Sequence, residues 1–176
     1  VKAKTPVFAD GDADAMSKVI LITGASRGIG AETARLAAER GYSLCLNYRS
    51  NRQPADELCA SLVGDGHHAI TCQADISVES QVVAMYQAID REFGRLDGLV
   101  NNAGILETQS DVVDMSRERW QRILDINVIG SFLCTREAIK RMSTTSGGQG
   151  GSIVNLSSRA ADLGAAGHLE GVDIFD

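Results

Sequence analysis

From Lys18 onward, short runs rich in Val, Ile and Leu alternate with segments whose apolar residues recur at a 3.6-residue period. The runs are KVILIT (18–23), SLCLNY (43–48), HAITCQA (68–74), LDGLVN (96–101) and SIVNLS (152–157). Such alternation predicts an α/β fold: a doubly wound, Rossmann-like parallel sheet with helices on both faces. The first helix starts near Gly28, carries Ile29, Thr33, Leu36 and Ala37, and stops at Gly41. A second starts at Pro54, carries Leu58, Cys59 and Leu62, and stops at Gly64. The third follows Ser77 as its N-cap and runs through Val82, Met85, Tyr86, Ile89 and Phe93 to Gly94. A longer fourth spans Arg117 to Met142, and STTSGGQGGS (143–152) returns the chain to the fifth strand.

The 176 residues, 44% of them hydrophobic, suffice for one well-buried domain over 17–176. Residues 1–16 are polar and without period, which predicts a flexible arm with Met16 as the natural start. Within it Asp10, Asp12 and Asp14 imitate a calcium loop. Ala15 replaces the glycine that loop requires and Leu21 its bidentate Glu, so no metal site is expected. A net charge of -6 argues against nucleic acid or an anionic membrane as partner and leaves a small molecule. Cys45, Cys59, Cys72 and Cys134 have no C-x-x-C spacing and sit in apolar stretches. They are read as buried reduced thiols of a cytoplasmic protein. No apolar run approaches the ~20 residues of a membrane span, and no export signal is evident.

TGASRGIG, Thr23 to Gly30, falls between the first strand and the first helix. Glycine admits backbone close to a ligand, and the free amides and dipole of a helix start attract phosphate. A second stretch, NNAG (101–104), ends the fourth strand. The spacing Thr-Gly-x-x-x-Gly-x-Gly together with NNAG resembles the short-chain dehydrogenase/reductase family, over residues 18 to about 173. The likeness is closest to its ketoacyl-reductase-like and sugar-dehydrogenase-like members.

The resemblance implies strand order 3-2-1-4-5, with a ligand crevice where the order reverses. It implies that Gly24, Ser26, Arg27, Gly28, Ile29 and Gly30 hold a cofactor's pyrophosphate, and that Asn102, Ala103 and Gly104 approach the same cofactor. Asp75 and Ile76 match the position that holds the adenine ring; Asp75 as a strand-end turn residue is the alternative. The adenosine ribose is read at the end of the second strand, here NYRSN (47–51), where no acid waits for a 2′-OH. Arg49 there and Arg27 in the turn suit a phosphate dianion, which favours NADP over NAD, although either arginine singly reads as a solvated cation.

Trp120, Ile123, Leu124 and Val128 form an apolar stripe on the fourth helix, with Asn127 inside it. An Asn so placed either ties down irregular backbone or holds an ordered water. The resemblance makes it a catalytic residue that kinks the helix and orders a proton-relay water. At the end of the fifth strand Ser158 matches the catalytic serine, which hydrogen-bonds a substrate carbonyl; a strand-end turn serine is the alternative. The implied reaction is hydride transfer between a nicotinamide and a carbonyl or secondary alcohol.

Such chemistry also needs a proton donor. Relatives use a tyrosine followed four residues later by a lysine. Here Ile174 stands at the tyrosine position and the lysine would fall at 178, so the resemblance implies a chain incomplete at its C-terminus, without the later strands and substrate lid, and slow in turnover. His168 is a weak substitute in a Gly/Ala loop. A non-catalytic nucleotide-binding or interaction protein, or a truncated product without function, are the other readings. Relatives assemble as dimers and tetramers through the helix carrying Asn127 and the one carrying the tyrosine, so a homo-oligomer is expected of full-length relatives more than of this chain.

Overall fold

The computed structural model describes residues 17–108 and 110–158. The expectations placed on the N-terminal arm, on Asp10, Asp12 and Asp14, on His168 and on Ile174 lie outside them.

Five strands form one parallel sheet in the order β3-β2-β1-β4-β5: β1 Val19–Ile22, β2 Ser43–Tyr48, β3 Ala69–Gln73, β4 Gly98–Asn101 and β5 Ser152–Asn155. The helices are α1 Gly28–Glu39, α2 Arg52–Gly64, α3 Glu79–Phe93, α4 Arg117–Leu124 and α5 Ser131–Met142. In register, Ile22 pairs with both Leu46 and Val100, which brings the carboxyl ends of β1, β2 and β4 to one level. The strand order reverses between β1 and β4, and there the first βα turn and the loop after β4 meet.

Two cores sandwich the sheet. On one face α1 and α2 bury Ile22, Leu44 and Leu46 under Ala31, Ala34, Ala38, Leu58 and Leu62. On the other, α3 and α5 pack Val82, Tyr86, Ile89 and Cys134 on Leu21, Cys45 and Leu99. Burial raises the Tyr86 phenol above its ordinary range, and its hydroxyl donates to the Cys134 carbonyl at 2.6 Å. Near the outer end of this layer, Glu137 is 3% exposed and pairs with Lys140, Arg141 and Arg136, while Arg141 also holds Asp90 of α3. All six residues of β2 are buried. β5, by contrast, leaves Val154 51% exposed.

Several local expectations are corrected. The buried face of α1 is built of alanines, whereas Ile29 and Leu36 face outward at 67% and 50% exposure. The close approach of α1 to the sheet selects small residues. α2 begins two residues before Pro54, which sits in its first turn, where a missing N–H costs nothing. Ser77 does not cap α3: Val78 occupies the cap position, and the Ser77 hydroxyl donates to Asp75 instead. The long fourth helix is present, yet Asp125–Gly130 is wound as a π-helix between α4 and α5. The wider π turn rotates the residues after it. Val128, within that segment, points outward at 54% exposure, as do Trp120 and Leu124 before it at 41% and 45%, and the wall of the core is made by Ile126 and Gly130 instead.

Candidate functional site: the crevice at the strand tips

Three polar side chains fasten the carboxyl ends of the strands together. Thr23 is fully buried just past β1; its hydroxyl donates to the Val100 carbonyl and accepts from the backbone N–H of Asn102 and of Ala103, both at 3.0 Å. Asn102 returns the link, its side-chain amide donating to the Thr23 and Gly24 carbonyls at 2.8 and 3.1 Å. Asn47, 2% exposed in β2, accepts from the Gly24 N–H at 3.2 Å and donates to the Cys72 and Ala74 carbonyls of the third strand's tip. The glycine turn is thus held from both sides by groups without charge.

The glycines allow this closeness. Gly24 has φ +63°, and a Cβ there would lie 2.9 Å from the Ala103 Cα. A Cβ on Gly30 would lie 2.5 Å from the Asn102 amide nitrogen and 2.6 Å from the Gly24 carbonyl oxygen. Both separations are below any tolerable contact, so the two loops can close on each other only over glycine.

In front of the turn lies a crevice of about 400 Å³. It runs from Ser26, Arg27, Gly28 and Ile29 at the start of α1, past Arg49 at the tip of β2, to Asp75 and Ile76 after β3. Its floor is Gly24, Asn102, Ala103 and Gly104. Eleven of the twelve residues predicted to touch a cofactor therefore line one cavity; the twelfth, Gly30, stands behind the turn as its packing partner. Asn127 and Ser158 are not in its lining.

Asn127 lies in the π-helical segment, accepting from the Ile105 N–H at 2.8 Å and donating to the Ile105 carbonyl at 2.9 Å. Of the two readings open in the sequence, its side-chain amide does the first: it ties irregular backbone after NNAG to the helix. Gly130, at the end of the same segment, lets the helix settle against Ile76, since a Cβ there would lie 2.7 Å from the Ile76 side chain. The π turn thereby brings Ile126 into the crevice wall. Ser158 is exposed, three residues beyond β5.

The donor set fits the phosphates of a dinucleotide. No side chain caps α1, whose N-cap Arg27 is extended at φ -161°, so the first-turn amides face the crevice with the dipole's positive end behind them. Gly28 has φ +57° and open space where a side chain would stand. Two arginines, Arg27 and Arg49, are among the residues that line the crevice.

Sequence reasoning passed over Thr23 and Asn47. The signal for Asn47 was present: one amide in a strand otherwise buried on both faces must have fixed partners. Among the described residues, no three His, Cys, Asp or Glu side chains gather as a metal site, and no helix is long and apolar enough to cross a membrane.

A parallel sheet with an uncapped helix start, two glycine-bearing loops and a crevice at its switch point belongs to the dinucleotide-binding class of α/β proteins. The sequence model of the family described as short chain dehydrogenase matches residues 18–169, and the chain belongs to that family. It is 51% identical over 149 residues to the uncharacterized oxidoreductase YgfF of Escherichia coli (strain K12), covering 85% of this chain and 60% of that protein. Among solved structures, it is similar to a short chain dehydrogenase from Burkholderia cenocepacia J2315 in complex with NADP, at 30% identity and TM-score 0.79, covering 86% of this chain and 60% of the other. It is also similar to the acetoin dehydrogenase from Enterobacter cloacae, at 34% identity and TM-score 0.80, covering 88% and 60%. The chain thus spans about 60% of the length of these relatives.

Proposed function

We propose that this chain is the cofactor-binding part of an NADP-dependent oxidoreductase that interconverts a carbonyl and a secondary alcohol. The observation that carries the reading is the crevice itself: Arg27 and Arg49 both line it, and residues 47–51 at the β2 tip include no carboxylate to accept from a ribose 2′-OH. The Burkholderia cenocepacia relative bound to NADP supports the same choice.

In this reading the α1 amides, with Ser26, Arg27 and Ile29, hold the pyrophosphate. Arg49 holds the 2′-phosphate, and Asp75 with Ile76 receives the adenine. Asn102, Ala103 and Gly104 keep the nicotinamide half close to the β4 tip. When bound, the reduced cofactor supplies the hydride. Ser158 hydrogen-bonds the substrate carbonyl, and Asn127 acts by fixing the Ile105 backbone after NNAG. Ile174, aliphatic where family resemblance places the proton-donating tyrosine, carries no proton to give. We therefore expect this 176-residue chain to bind cofactor while reducing carbonyls at least ~10²- to 10⁴-fold below a chain with a general acid. Binding without any turnover favours the second reading, a non-catalytic nucleotide-binding protein.

Trp120, Leu124, Val128 and Phe132 form an exposed apolar stripe along α4 and α5, which supports a homo-oligomer. The four free cysteines are in keeping with a reducing, cytoplasmic setting. The test is a thermal titration with NADPH and NADH. NADPH at a hundred times its Kd should add about 2.7 kcal/mol and raise Tm by roughly 5–10 °C, NADH less at equal concentration. A melting point moved by neither nucleotide removes the proposal.

A further inference from the structure

The Arg49 guanidinium faces a second claimant besides the crevice. Its Nη1 lies 3.9 Å from Asp75 Oδ2, outside hydrogen-bond reach but within ion-pair range. Only the base of Arg49 is anchored, its backbone carbonyl accepting from the Gln73 side chain at 3.0 Å, while its side chain is 54% exposed. Asp75 is the fixed member. Its Oδ1 accepts from the Ser77 N–H at 3.0 Å and from the Ser77 hydroxyl at 2.6 Å, and its own N–H donates to the Gln81 side chain at 2.8 Å. Arg117 and Asp125 stand beyond the pair in an adjoining hollow, where Arg122 is already taken by Glu107.

We propose that Asp75 tempers nucleotide specificity through Arg49: its anchored carboxylate holds the mobile guanidinium beside the crevice and competes for it with the 2′-phosphate of an incoming cofactor. The inference rests on the assignment of Arg49 to that phosphate. A dianion forms short charge-assisted hydrogen bonds with a guanidinium, against one loose contact for Asp75, so the phosphate wins the arginine. It does so at the cost of separating an existing ion pair. A cofactor with a plain 2′-OH leaves that pair intact. Asp75 thus tempers the preference for NADP over NAD and keeps Arg49 poised when no cofactor is bound.

The experiment is a set of binding titrations of the full chain with NADPH and with NADH, free of any turnover. Asp75→Asn keeps an oxygen for Ser77 and removes the charge. The ratio of NADPH to NADH affinity should rise roughly two- to fivefold, the scale of an exposed ion pair, because any change at the adenine contact is common to both nucleotides and cancels in the ratio. In an Arg49→Met background that gain should fall by more than half. Asp75→Ser, which also leaves an acceptor for Ser77, serves if the Asn variant is not recovered folded. An unchanged ratio of NADPH to NADH affinity, or an equal gain in that ratio with and without Arg49, overturns the proposal. If the unsubstituted chain binds both nucleotides alike and Arg49→Met alters neither, the cofactor assignment fails first and takes this inference with it.

Discussion

The two ends of the sheet are fastened by different chemistry. At the carboxyl ends the ties are neutral: a hydroxyl and two side-chain amides, Thr23, Asn47 and Asn102, bond to backbone groups of neighbouring strands. At the amino ends the tie is ionic. Asp97 accepts from the Val19 N–H at 2.8 Å and from the Arg95 guanidinium, which also reaches Gln149. Neutral ties at the ligand end leave Arg27 and Arg49 with hydrogen-bonding capacity for a phosphate, whereas the far end, with no phosphate to receive, satisfies its charges internally. The sheet therefore holds its shape at the crevice without spending Arg27 and Arg49, the cations that the proposed binding uses.

The sharpest break in this comparison is Thr23→Val. It leaves the Ala103 N–H without an acceptor and the Asn102 N–H with the Val100 carbonyl alone, at about 2–4 kcal/mol together. Calorimetry should show Tm lower by roughly 5–15 °C, together with weaker NADPH binding. Asn47→Ala comes next. It frees Gly24 from the third strand's tip at a cost of about 1–3 kcal/mol, and NADPH affinity should fall with it, because the turn loses its reference.

The ionic ties, at the amino ends of the strands and between α3 and α5, answer to acid. Burial pushes the Asp97 and Glu137 carboxyls up, but Arg95 and the Val19 N–H for the first, and Lys140, Arg141 and Arg136 for the second, outweigh it and hold both below the ordinary range. A carboxyl depressed on folding contributes stability that is complete above its unfolded pKa, about 4, and is lost as pH falls through the lower folded value. Denaturant titrations should therefore show stability declining below about pH 4, with a shallower decline in Asp97→Asn and in Glu137→Gln. NADPH affinity of Asp97→Asn at pH 7 should match the unsubstituted chain; a loss there breaks the separation of the two ends. The smallest effect belongs to the edge: Val154→Thr, half-exposed on β5, should shift stability by less than about 0.5 kcal/mol.

Strand order and the crevice wall were legible because both rest on strong local signals. Apolar runs separated by helical periods specify a parallel sheet, and a glycine turn between the first strand and helix specifies the phosphate end. What escaped was geometry that small or polar residues encode. Alanine carries little hydrophobic signal, so the buried Ala31, Ala34 and Ala38 of α1 were outvoted by Ile29 and Leu36, which face outward. Periodicity at 3.6 residues assumes one winding throughout and cannot register the π turn at Asp125–Gly130, which turns Val128 outward and Ile126 and Gly130 inward. Ser77 has the chemistry of a cap but finds Asp75 two residues back, a local competition that spacing does not rank.

The central claim is that one crevice at the tips of β1, β2 and β4 receives a phosphorylated nicotinamide dinucleotide. Amide chemical-shift mapping with NADPH tests it most directly. Shifts concentrated at Gly24–Gly30, Arg49, Ile76 and Asn102–Gly104, with Val19 and Asp97 at the opposite end unmoved, are the predicted result. Shifts absent, or centred on β5 and the outer face of α4, would contradict it.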